Sequence, residues 1–112
     1  MGISLPQDDE YQELAKRTAK GLGKEKRLAN FGLGISGEAG EVTDYIKKLL
    51  FHGHILDKNK MKEELGDVLW YIATIGTTVG LSLEDIAESN ILKLKKDIQK
   101  VLIKKKSVNR KV

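Results

Sequence analysis

The chain has 112 residues and carries 20 Lys and Arg against 16 Asp and Glu, a formal charge of +4. That length leaves room for one domain, and a composition 40% hydrophobic and 32% charged is too apolar for a disordered chain. The lack of Cys excludes a disulfide framework, a thiol nucleophile and a thiolate metal site; no basic start with a following apolar run suggests a signal peptide, and the most apolar stretch, Val68 to Leu83, is too short and polar for a membrane span, so a soluble, cytoplasmic protein is expected.

Residues 1 to 7 read as a loose lead-in. A first helix is expected from Asp8 or Asp9 to Lys20, with acids in its first turn as the helix dipole prefers, ended by Gly21 and Gly23. A second runs from Glu25 or Leu28 to Phe51, its apolar positions Leu28, Phe31, Ile35, Ala39, Val42, Ile46, Leu49 and Leu50 recurring mostly at three and four residues. Its early part carries Gly32, Gly34, Gly37 and Gly40, each costing ~1 kcal/mol relative to Ala in a helix interior. Either the segment before Ser36 departs from helix, or the glycines admit a close neighbour beside Glu38. After a loop marked by Gly53 and the run Asp57 to Lys60, a third helix spans about Lys60 to Thr78. Met61, Leu65, Val68, Leu69, Ile72 and Ile75 form its stripe, and Gly80 breaks it. Ser82 with Asp85 approximates a capping box for a fourth helix, with Ile86, Ile91, Leu94, Ile98, Val101 and Leu102 inward. That helix is expected to fray in the tail.

Four helices with short connections predict an all-α, four-helix bundle-like domain over residues 1–104, with helices two and three antiparallel. Residues 105–112 are expected to form a basic, disordered tail, since they lack a sustained apolar face. So short a chain buries a limited core, and Trp70, Tyr71, Ile72, Ala73 and Ile75 make the third helix apolar over much of its girth. A homo-oligomer, dimer or tetramer, is expected on that ground. The charge is uneven: residues 93–112 hold nine Lys and Arg against Asp97 alone, a charge of +8, and the other 92 residues sum to −4. The tail has no aromatics between its lysines to stack on bases, so nonspecific attraction to polyanions is expected of it, and specific nucleic-acid recognition is not.

Two acid pairs stand out, Glu38 with Glu41 and Glu64 with Asp67. Each has i,i+3 spacing, which puts both members on one side of a helix, and each sits among small or apolar residues. Either pair alone also fits an ordinary exposed helical pair. Brought together from two helices, four carboxylates repel and raise one another's pKa values unless a cation lies between them. Oxygen ligands without thiolates suit Mg²⁺, with Mn²⁺ as a substitute. His52 and His54 sit poorly for such an ion and fit a helix C-terminus at least as well. Trp70 and Tyr71 suit packing better than stacking on a base, and Ser36 has no His partner for nucleophilic catalysis.

ISGEAGEVTDYIKK followed by KEELGDVLWYIA resembles the MazG-like nucleoside triphosphate pyrophosphohydrolases, an all-α superfamily. The likeness extends from about Ala29 to Lys96, and GLSLEDIAESNILKLKK resembles the fourth-helix region of its small bacterial and phage members. The resemblance implies metal ligands at Glu38, Glu41, Glu64 and Asp67. Gly37 stands where the family has a further glutamate. Asn90 and Lys93 match polar residues that lie near the nucleotide in relatives. Where small relatives continue into an Arg-Tyr-Pro stretch near the active site, this chain reads Asp97-Ile98-Gln99, a departure that bears on closure of the pocket.

The implied reaction is metal-dependent hydrolysis of an NTP or dNTP to the monophosphate and pyrophosphate. Carboxylates cannot bind a triphosphate directly, so Mg²⁺ must intervene, and it can activate a water. Glu38 or Glu41 is the candidate to take that water's proton. Lys47, Lys48 and Lys93 are candidate phosphate partners, though each suits a solvated surface better. The competing reading is a non-catalytic helical nucleotide-binding or interaction module with a polyanion-binding basic tail.

Overall fold

The computed structural model describes residues 8–19 and 23–109, with side chains for 10–19 and 23–106. The expected lead-in, Lys20 and Gly21 at the end of the first helix, and the last three residues lie outside these. The described residues form four helices and no strand: α1 (Asp8–Thr18), α2 (Lys24–Phe51), α3 (Lys58–Val79) and α4 (Leu83–Asn109).

The polar run at 57–60 proves to be the first turn of α3 rather than a loop. The Asp57 carboxylate accepts hydrogen bonds from the backbone N–H groups of Asn59 (3.0 Å) and Lys60 (3.3 Å), satisfying donors that a helix start leaves free. At its other end, Gly80 adopts a left-handed conformation (φ 80°). Leu81 N–H donates to the Gly76 carbonyl at 2.8 Å and Gly80 N–H to that of Thr77 at 3.3 Å, the paired bonds of a Schellman stop. Ser82 then caps α4, its Oγ accepting from Asp85 N–H at 3.0 Å. His52 closes α2 through its backbone N–H, which donates to the Lys48 carbonyl.

Helices α2 and α3 run antiparallel, as the paired positions along them show. Tyr45 Oη accepts from Asp57 N–H at 2.9 Å near the connecting loop, and Phe31 packs edge-on against Trp70 and Tyr71 at the far end, with ring centroids 5.6 and 6.2 Å apart. The glycine-rich segment before Ser36 is helical throughout. Only Gly34 among Gly32, Gly34, Gly37 and Gly40 has a close neighbour: a β-carbon there would stand 2.6 Å from Tyr71 Oη.

Helix α3 is the hub. It packs against α1, α2 and α4, and among the described residues α2 touches neither α1 nor α4. Ala15, Ala73 and Leu83, from three different helices, form the buried core, with Tyr11, Trp70, Ile72 and Ile86 against it. Gln12 links the same three helices. Its amide nitrogen donates to the carbonyls of Leu81 (2.8 Å) and Ala73 (3.3 Å), and its oxygen accepts from Leu83 N–H (3.1 Å). Trp70 Nε1 donates to Thr18 Oγ1 at 2.7 Å, tying α3 to the end of α1.

Several expected faces differ. On α3, Ala73 is buried and Trp70, Tyr71, Ile72 and Ile75 are half-buried among the surrounding helices, whereas Leu65 and Leu69 of the expected stripe are exposed. Trp70, Tyr71, Ile72, Ala73 and Ile75, from which an oligomer was expected, are thus at least half covered by the chain's own helices. On α2 the stripe is thin. Phe31 and Tyr45 are buried, whereas Leu50 is 69% exposed, because only α3 packs on this helix. Among the described residues, the inward stripe expected on α4 has a neighbour only at its start. Ile86 joins the core, and every residue from Ala87 to Lys106 is exposed. The helix continues to Asn109 without fraying in the lysines. The Cα radius of gyration is 19.0 Å, against ~13 Å for a compact chain of about 100 residues.

Candidate metal centre

The antiparallel register of α2 and α3 sets the middle of one helix beside the middle of the other. Glu38 and Glu41 project from α2 and Glu64 from α3, and one oxygen from each lies within 4.8 Å of the others. Glu38 and Glu64 are half-buried and Glu41 is exposed. Glu38 Oε2 and Glu64 Oε2 are cut off from solvent and have no hydrogen-bond partner.

Three carboxylates this close are electrostatically unfavourable as they stand. Glu38 shows the effect: its carboxyl is held above its ordinary value of 4.5, first by burial and then by the charges of Glu41, Asp67 and Glu64. Lys60, an i,i+4 partner of Glu64, sets its Nζ 3.8 Å from Glu64 Oε1 and 5.6 Å from the centre of the Tyr45 ring. At that range, with Lys60 half exposed, the pair is weak. An orphaned, water-excluded carboxylate oxygen normally has a donor or a cation. Two such residues clustered with a third carboxylate suit a hard divalent ion.

Asp67 is placed differently from the other three. It does not join the three-oxygen cluster, yet its charge reaches Glu38 and also helps burial raise the Tyr11 hydroxyl above its usual range. Its charge thus reaches both the cluster and α1. Sequence reasoning missed Tyr11 and Lys60 here; the Lys60–Glu64 spacing was a usable signal for the second, and nothing local marked the first.

The expected phosphate partners are not gathered at the carboxylates. Lys48 is held by Asp44 one turn back on α2, Nζ to Oδ2 at 2.9 Å, which keeps its ammonium above and the Asp44 carboxyl below their ordinary values. Lys47 is exposed. Asn90 and Lys93 lie on the exposed part of α4, which makes no contact with α2. Lys93 instead borders an open cleft of about 460 Å³ with Asp85, Glu88, Ser89 and Lys96. His52 and His54 are both exposed and stand outside the carboxylate cluster.

Fold and site together define an all-α protein with a carboxylate cluster between two antiparallel helices. Residues 27–102 match the MazG nucleotide pyrophosphohydrolase domain, and the chain belongs to that family. It is similar to the Gene 37 protein of Mycobacterium phage L5, with 35% identity over 71 residues, 60% of this chain and 62% of the relative. The chain thus spans less than two thirds of that relative's length. No solved structure matches it. No helix among the described residues is long and apolar enough to cross a membrane.

Proposed function

We propose that the protein is a metal-dependent nucleoside triphosphate pyrophosphohydrolase, releasing pyrophosphate and the nucleoside monophosphate. The observation that carries this reading is that Glu38 and Glu64, two of the three carboxylates brought within 4.8 Å of one another, each hold an orphaned, water-excluded oxygen. Family membership supports the reaction class.

Glu38, Glu41 and Glu64 would hold Mg²⁺, with Mn²⁺ as a substitute, and Asp67 would complete the set. When bound, the ion supplies charge neutralisation for the phosphate oxygens and acidifies a water. The chain's own part is positional. Two helices packed along their length fix the carboxylates, and Gly37, Gly40 and Gly66 have no neighbour within 4 Å of where a β-carbon would lie, leaving space beside them. Glu38 and Glu41 are the groups that can take the proton of the attacking water. Glu41 has access to solvent, and Glu38 is made more basic than an ordinary carboxylate by its surroundings. Lys47 and Lys48 lie two turns beyond Glu41 on α2, about 10 Å along the axis, within the span of an extended triphosphate. Asn90 and Lys93 are substrate residues only if α4 of another copy, or a rearranged α4, approaches the cluster. A dimer or tetramer would supply that approach, and a soluble, cytoplasmic setting fits the substrate.

The test is a panel of standard and modified NTPs and dNTPs assayed for pyrophosphate release with Mg²⁺ or Mn²⁺, beside calorimetric titration of the ion. Glu64→Gln keeps the shape and removes a charge. It is expected to lower metal affinity more than about tenfold, or ~1.4 kcal/mol, with pyrophosphate release falling in parallel. Asp67→Asn is expected to act in the same direction. No pyrophosphate from any nucleotide, with no ion binding in its presence, overturns the enzyme reading and leaves the non-catalytic module.

A further inference from the structure

Lys60 stands where the helix it begins does not favour a cation. Asp57 is the N-cap of α3 and Lys60 the third residue after it, the position at which a capping box carries Glu or Gln. The first turn of α3 holds no acid, although the helix dipole favours acids there and disfavours lysines. The side chain has other partners. Its Nζ lies 3.8 Å from Glu64 Oε1 and 5.6 Å from the centre of the Tyr45 ring. Tyr45 is itself buried, and its hydroxyl is pinned to Asp57, accepting from the N–H at 2.9 Å and donating to the carbonyl at 3.3 Å. One side chain of α2 thus holds both the N-cap residue of α3 and the ring beneath the ammonium.

Glu64 is shared between two cations. Its Oε1 has the ammonium, whereas its Oε2 is cut off from solvent and has no partner. The same carboxylate therefore meets a tethered monovalent charge and belongs to the cluster that suits a divalent one. An ion bound to Glu64 at ~2.1 Å would stand within the ~10 Å screening length of that ammonium at 0.1 M salt. The two cations repel, and both draw on one negative charge, so each weakens the hold of the other. Both contacts of the ammonium are of the weak, exposed kind, which an arriving divalent ion can displace.

We propose that Lys60 is a built-in competitor of the metal: its ammonium partly neutralises Glu64 while no ion is bound, and it opposes and yields to a divalent ion that binds. Lys60 thereby sets how much free metal is needed to fill the centre. The inference rests on the metal-binding part of the proposed function and not on hydrolysis.

The test is titration of the full chain with Mn²⁺, read by loss of the electron resonance signal of the free ion. Lys60→Met keeps an unbranched apolar stem and removes the charge. It is expected to bind Mn²⁺ about three- to tenfold more tightly than wild type at ~0.01 M salt, the effect of one positive charge on a divalent ion at this range in a water-like medium. That gap is expected to narrow at ~0.15 M salt, where the screening length has fallen from ~30 to ~8 Å. Lys60→Arg keeps the charge and is expected to stay within about twofold of wild type. A lysine that only shaped the fold would give the opposite sign, because loosening the cluster weakens binding. Equal or weaker Mn²⁺ binding by Lys60→Met overturns the inference and leaves the proposed function standing, as does a Lys60→Arg that binds as tightly as Lys60→Met. A wild type that binds no Mn²⁺, with or without nucleotide, overturns both.

Discussion

Glu38 concentrates the electrostatic cost of this fold in one side chain. Its carboxyl is raised by burial and by Glu41, Asp67 and Glu64, so the folded protein binds a proton there more tightly than the unfolded chain does. A raised carboxylate pKa makes stability fall as pH climbs from the ordinary value of 4.5 through the folded value. Below that window the group is protonated in both states and the penalty vanishes. Glu38→Gln is therefore expected to melt higher than wild type at pH 7 in chelator, with the difference shrinking at pH 4. Adding Mg²⁺ should raise the wild type and narrow the gap at pH 7. Thermal melts under these conditions check it, and a variant that melts lower than wild type at pH 7 without metal would show that the cluster is not strained.

The α2–α3 contact turns on which glycines need to be glycine. At Gly34 the Tyr71 ring occupies the place of a side chain, and that ring is itself locked edge-on against Phe31 and Trp70. Gly34→Ala gains ~1 kcal/mol of helix propensity but must displace a packed aromatic group, a change that typically costs about 1–3 kcal/mol. The net expectation is a loss. Gly32 lies two residues earlier with open space around it, so Gly32→Ala should recover most of the ~1 kcal/mol. Urea unfolding of the two variants separates them, and the same sign for both would contradict the packing described here.

On the scale of the whole molecule, α1, α2 and the start of α4 are organised around α3, while the rest of α4 and its lysines stand apart. Truncation after Lys104 removes no residue of the core. Helicity per residue and the melting temperature of the body should stay close to wild type, whereas the salt dependence of binding to a polyanion such as heparin should become shallower as lysines are lost. Circular dichroism and binding at several salt concentrations check both halves, and a large loss of thermal stability would show that the tail packs on the body.

Much of this was written locally. Apolar spacing at three and four residues located four helices, Gly80 and Ser82 marked a stop and a start through bonds within a few residues, and the i,i+3 spacing singled out two acid pairs, because these depend on near neighbours along the chain. What local pattern could not decide was partnership. An apolar stripe requires a cover but does not say whose: Ala73, Trp70 and Ile72 of α3 are packed by helices of its own chain, and among the described residues α4 beyond Ile86 has no cover. Gln12 reads as an ordinary polar position until the fold sets it between the end of α3 and the start of α4. The register of α2 on α3 likewise decided that Glu38, Glu41 and Glu64 converge while Asp67 stays outside their cluster, since a carboxylate's neighbours across a helix interface depend on axial offset and rotation, which sequence spacing within one helix does not contain.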